Sequence, residues 1–192
     1  MDSFSVAPRP SLHMPASIDK LLPIESCISV SNSKTYLGFL ICHSGADKLI
    51  SSSQSPSFFA LIIGINEYAS PVVCRPLKGT ISDAFTVRKY LEEHLGVPRS
   101  QIHLLLDAEA TRSAIIQAFN NLVADQRIQR GDPILIFYAG HGSEVDPPKH
   151  WEAGSTKIQM LILHNFGINV DGRVIYGILD RTIGVLLARV AE

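Results

Sequence analysis

The chain has 192 residues, 46% of them hydrophobic, which suits one domain with a packed interior. Its 17 Lys+Arg offset 18 Asp+Glu for a net charge of -1, and no basic block or stripe speaks for nucleic acid as a partner. Three cysteines, Cys27, Cys42 and Cys74, are too few and too odd for a disulfide scaffold; no apolar run reaches bilayer length, and no signal-like region opens the chain, so a cytoplasmic protein without a membrane partner is expected.

Residues 1–57 are rich in Ser and Pro and weak in helical periodicity. They read as a largely disordered leader with Ser51-Ser-Ser-Gln-Ser-Pro-Ser57 as linker. One apolar island inside it, Tyr36-Leu-Gly-Phe-Leu-Ile-Cys42, is strand-like. From Phe58 the pattern becomes regular. Phe58-Phe-Ala-Leu-Ile-Ile-Gly64 is a continuous apolar run, as a strand buried on both faces requires. After a loop holding Pro71 and Pro76, Ser82 or Asp83 is the expected cap of a helix to Leu95. Its inward positions are Ala84, Val87, Leu91 and Leu95, and Gly96 and Pro98 stop it. Ile102–Leu106 is a second strand. Thr111 caps a second helix with Ile115, Phe119, Leu122 and Val123 on one side. Gly131-Asp132 turns the chain into a third strand, Pro133–Tyr138. Beyond it, Lys157–Leu163 is a strand candidate and Asp171-Gly172 a turn. Asp180 caps a last helix carrying Ile183, Leu186, Leu187 and Val190.

Strands alternating with helices imply right-handed crossovers and a mostly parallel sheet, an α/β class. The third strand empties into Tyr138-Ala-Gly-His-Gly-Ser143. His141 thus stands just past the carboxyl end of a strand, where open α/β sheets form their crevices. An imidazole titrates near neutral pH and suits proton transfer, and glycine on both sides lets a substrate backbone approach. A purely structural histidine at a strand end is the alternative. His150 and His164 do not combine with His141 into any zinc spacing. His94 and His103 read as helix-end and strand-edge residues, Cys74 as an ordinary thiol, and Cys27 carries no signal. A phosphate-binding domain is disfavoured, since Gly64-Ile-Asn-Glu supplies one glycine and no Gly-Lys-Ser/Thr follows.

Several segments carry a resemblance. They are Ala60-Leu-Ile-Ile-Gly-Ile-Asn66, Leu77-Lys-Gly-Thr-Ile-Ser-Asp-Ala84, Ala110-Thr-Arg112 and Gly131-Asp-Pro-Ile-Leu-Ile-Phe-Tyr-Ala-Gly-His-Gly-Ser143, with Trp151 and Ile178-Leu-Asp-Arg-Thr182. In this order they make residues 58–192 resemble the first part of the caspase-like (peptidase C14) domain of metacaspases, fungal ones above all. The resemblance implies a caspase-like three-layer sandwich, C-terminally truncated here, and a Cys–His dyad that hydrolyses peptide bonds after Arg or Lys. It makes His141 the dyad base, the backbone N–H of Gly142 one oxyanion donor, and Asp83 a wall of the pocket for the basic side chain. Asp83 also has the plainer reading of a helix N-terminal residue. Peptide or protein substrates and other caspase-like chains are the implied partners. Calcium is used by many members, but no ligand for it is assigned in this chain.

The family's nucleophile lies on the next strand, in a segment reading roughly Asp-Cys-Cys-His-Ser-Gly. No cysteine follows His141 here. A base needs a group to act on, and losing one member of such a unit costs nearly as much as losing all. The chain as it stands is therefore expected to be impaired as a protease. Leu163 and Asn165 also stand where fungal relatives carry Pro and Asp. One segment, Leu40-Ile-Cys-His-Ser-Gly45, repeats the nucleophile's Cys-His-Ser-Gly. Placed as a parallel strand beside Pro133–Tyr138, it would set Cys42 against His141 as a surrogate nucleophile; chance similarity in a leader is the alternative. The rival function is a non-catalytic interaction module, a pseudo-protease pairing through an exposed apolar edge at Pro133–Tyr138.

Overall fold

The computed structural model describes residues 57–147 and 157–191 and, ahead of them, two strands, β1 (Ser29–Val30) and β2 (Tyr36–Ile41). The elements that follow are β3 (Phe59–Gly64), α1 (Thr80–Glu93), β4 (Ile102–Leu106), α2 (Arg112–Ala124) and β5 (Ile134–Ala139). Then come β6 (Gly142–Val145), β7 (Ile158–Leu161), β8 (Asn169–Val170), β9 (Arg173–Val174), β10 (Ile178–Leu179) and α3 (Asp180–Ala191). The main sheet runs β1-β2-β5-β3-β4, with β3 parallel to both β4 and β5. A second sheet, β10-β7-β6, continues the chain from the end of β5.

The continuous apolar run of β3 is explained by its place in the sandwich. All six residues are buried. Phe59, Leu61 and Ile63 enter the core shared with α2 and α3, while Ala60 and Ile62 enter the one shared with Ala84, Val87 and Leu91 of α1. Period-2 alternation feeds both layers, so neither face tolerates a polar residue. This is the three-layer α/β arrangement the sequence predicts.

Helix boundaries show where local rules held. Thr111 Oγ1 accepts from the Ala114 N–H at 3.2 Å, a side-chain cap as expected. Ile115, Phe119 and Leu122 are buried, whereas Val123 is 43% exposed and belongs to the outer side. The first helix departs from expectation. It starts at Thr80 with Gly79 as N-cap at φ 107°, so neither Ser82 nor Asp83 is the cap. The Thr80 N–H and hydroxyl both donate to Asn66 Oδ1, at 3.1 and 2.7 Å. A side chain from the end of β3 does the work that a local cap would have done.

The leader is not wholly apart from the domain. β2 lies beside β5, the slot foreseen for it, but antiparallel: Tyr36 pairs with Ala139 and Ile41 with Ile134. This corrects the parallel arrangement. Cys42 lies outside the described residues, but its neighbour Ile41 is at the amino end of β5, five residues short of Ala139. At about 3.3 Å per residue that puts Ile41 roughly 17 Å from the end bearing His141. A short antiparallel ribbon with β1 was the simpler solution, since a parallel strand needs a long crossover. The same pairing covers the edge of β5, so the exposed apolar edge invoked for an interaction module is absent there. Cys27, His150 and Trp151 lie outside the described residues.

Candidate active site

His141 is held by its backbone before its ring is considered. Its N–H donates to Tyr68 Oη at 2.8 Å. Its carbonyl accepts from Tyr138 Oη at 2.8 Å and from the Ile162 N–H at 3.0 Å. Tyr138 Oη also lies 2.6 Å from the Ile162 carbonyl, and the two tyrosine hydroxyls interact. Burial pushes both phenols well above their ordinary value, so they act as neutral hydrogen-bonding groups. Gly140 permits this packing: a Cβ there would sit 2.5 Å from Tyr138 Oη.

The half-buried imidazole rests against the Tyr68 ring, centroids 5.0 Å apart and tilted by 38°. Its Nε2 lies 2.8 Å from the Arg75 carbonyl. A carbonyl can only accept, so Nε2 carries the proton and Nδ1 holds the lone pair of the neutral ring. The position of Arg75 therefore sets the tautomer of His141.

Arg75 belongs to the loop between β3 and α1, and that loop is pinned from three sides. Asp107, just past β4 at φ 43°, accepts from the Asn66 and Glu67 N–H groups at 2.7 and 2.8 Å. His164, just past β7, donates from Nδ1 to the Glu67 carbonyl at 2.7 Å, and its own carbonyl accepts from the Ala69 N–H at 2.8 Å. Leu77 N–H closes the loop onto the Asn66 carbonyl at 2.8 Å. Next to His164, Asn165 Oδ1 accepts from the Arg112 N–H at 3.1 Å, so this side chain serves the first turn of α2.

The remaining expected residues fall at the same sheet edge or near it. The Ile162 N–H bond to the His141 carbonyl makes Gly142 and Leu161 a non-hydrogen-bonded ladder pair, so the β6–β7 ladder leaves the Gly142 N–H unused. Nothing stands closer than 3.8 Å to where a Gly142 Cβ would be. Asp83 lies in the first turn of α1 and is partly buried. That turn packs on the carboxyl end of β3, where Gly64 admits Ala84 and the Thr80 carbonyl. Cys74, the free cysteine among the described residues, precedes Arg75; burial raises its thiol pKa.

Comparison with known proteins gives the family. A family model of the caspase domain, peptidase C14, matches residues 57–172, more than half of the chain. The chain belongs to the caspase-domain peptidase family. Metacaspase-1A of Aspergillus oryzae is 33% identical over 91 residues, covering 44% of this chain and 20% of that protein. Metacaspase-7 of Arabidopsis thaliana is 31% identical over 102 residues, covering 50% and 24%. The matched part thus spans about a fifth to a quarter of these metacaspases. Protein GSU0716 of Geobacter sulfurreducens, a crystal structure, superposes with a TM-score of 0.52 at 21% identity over 70% of this chain and 46% of its own, a likeness of fold.

Within this caspase domain, no group of three or more His, Cys, Asp or Glu side chains among the described residues could hold a metal ion. No calcium ligand is assigned among the described residues. No helix among the described residues is long and apolar enough to cross a membrane. Reading the sequence missed Tyr68, Arg75 and Asp107, and weighed His164 only as a zinc ligand. Tyr68 and Asp107 had a weak signal, a polar-tipped aromatic and an acid immediately after apolar strands. The Arg75 contribution is a backbone carbonyl, which no side-chain pattern reveals.

Proposed function

We propose that His141 is the general base of a cysteine-endopeptidase site directed at peptide bonds after Arg or Lys, and that the described residues supply this base without its thiolate. The Arg75 carbonyl carries the reading: by holding Nε2–H it leaves Nδ1 as the proton acceptor. The unused Gly142 N–H supports a role as oxyanion donor to a developing tetrahedral centre. Asp83 is the proposed partner for the substrate's basic side chain, because carboxylate and guanidinium pair strongly when water is excluded. Cys74 does not meet the requirement for a nucleophile. Activation lowers a thiol pKa, and burial raises this one.

The test is an Arg-terminated fluorogenic peptide incubated with the full chain and with its His141→Ala, Cys42→Ala and Cys74→Ala variants, with and without calcium. No turnover above buffer is expected for any of them. Turnover abolished by His141→Ala and by one cysteine variant would instead reveal a complete dyad and overturn the inactive reading. The base assignment is read separately, by nitrogen-15 NMR of the His141 ring. A neutral ring protonated on Nδ1 would refute it.

A further inference from the structure

We infer that β2 is an exchangeable strand, and that the β5 edge accepts the β2 of a second copy of this chain as readily as its own. Three observations carry this, none of which uses the chemistry of His141. All six residues of β2 pair with β5, and its other neighbour is β1, a strand of two residues from the same segment. The β1–β2 ribbon is thus held to the main sheet through one strand border. The ribbon also lies outside residues 57–172, the part matched by the family model, so the caspase domain gains this edge strand from elsewhere in the chain.

The third observation is the length of the connection. Ile41 and Phe59 both pair with Ile134, from opposite sides of β5. They are two strand spacings apart, roughly 10 Å. Residues 42–58 can reach on the order of 55 Å when extended. A connection several times longer than its gap does not dictate which copy of β5 the strand joins. Closure within one chain is independent of concentration whereas exchange between chains is not, so the exchanged fraction rises with chain concentration. Exchange of identical elements is reciprocal and gives a closed two-fold dimer. Because Tyr36 faces Ala139, such a dimer places the partner's strand on the flank of each His141.

The experiment uses full-length chains with the three native cysteines changed to Ser. One population carries Gly38→Cys and the other Phe137→Cys, residues paired across the β2–β5 border. A parallel set uses Phe39→Cys and Ile136→Cys, since only alternate antiparallel pairs have the close approach that favours a disulfide. Each pair is also placed in one chain as a control. The control should cross-link within the chain. The mixed populations, oxidised slowly at 100 μM, should accumulate the interchain disulfide in one of the two sets, with the yield rising with concentration. Mixed chains that stay uncoupled while the control cross-links would overturn the exchange and make β2 a permanent part of its own sheet. Failure of both controls, in variants whose thermal unfolding matches the parent, would overturn the pairing on which the inference stands.

Discussion

Replacing Tyr68 with Phe removes one oxygen and tests the support under His141. The Tyr68 ring is 5% exposed, and its hydroxyl is the acceptor for the His141 N–H. Phe keeps the ring contact with the imidazole and deletes that acceptor. A buried N–H left without a partner costs about 1–3 kcal/mol, and the Tyr138 hydroxyl, still bound to two carbonyls, is not positioned to replace it. For a domain of this size each kcal/mol moves Tm by about 2–4 °C. Differential scanning calorimetry should therefore show a drop of about 3–10 °C. The His141 amide and ring resonances should shift together in nitrogen-15 NMR spectra, because the same tether sets backbone and imidazole position. A Tm within about 1 °C of the parent with unmoved His141 signals would show that the tyrosine hydroxyl carries no such load.

Gly140→Ala should cost about 1–3 kcal/mol in urea unfolding, because its Cβ would fall 2.5 Å from Tyr138 Oη inside a packed site, while Gly142→Ala, with open space around it, should stay within about 0.5 kcal/mol; equal costs would contradict the packing. Hydrogen bonding from Arg127 holds the Asp125 carboxyl below its usual range, so the pair stabilises above about pH 4 and is lost as pH falls through the lowered value; Asp125→Asn should be less stable than the parent at pH 7, with the gap shrinking as pH falls below about 4, and a gap that does not change in acid would argue against it. Cys74 should react with iodoacetamide more slowly than free cysteine at pH 7.5, and its rate should still be climbing at alkaline pH where that of free cysteine has levelled off, since burial raises its pKa; rapid labelling at neutral pH would mean an activated thiol.

How much of this was legible in the sequence depended on whether the determinant was local. β3 and β5 announced themselves through apolar runs, Thr111 through cap chemistry, and His141 through its glycine-flanked position after a strand. The start of α1 was misplaced because its first N–H is satisfied by Asn66, fourteen residues earlier in sequence. The direction of β2 was misjudged for a related reason: an apolar six-residue strand has no inherent sense, and pairing is settled by the partner that completes the sheet. Asn165 looked like a lost carboxylate and is instead a partner of the Arg112 N–H. The tautomer of His141 was beyond reach, since it depends on where a loop carbonyl comes to rest.

Two imidazoles hold the same loop, His141 through the carbonyl of Arg75 and His164 through that of Glu67. Protonation leaves both grips intact, because an imidazolium still donates from the nitrogens concerned. What does release them is displacement of the loop itself. A ligand that wedges residues 66–75 outward would set the His141 ring free to spin, and the protein would lose aim at the moment its mouth widened. Such a ligand would redirect the Nδ1 lone pair without ever touching it.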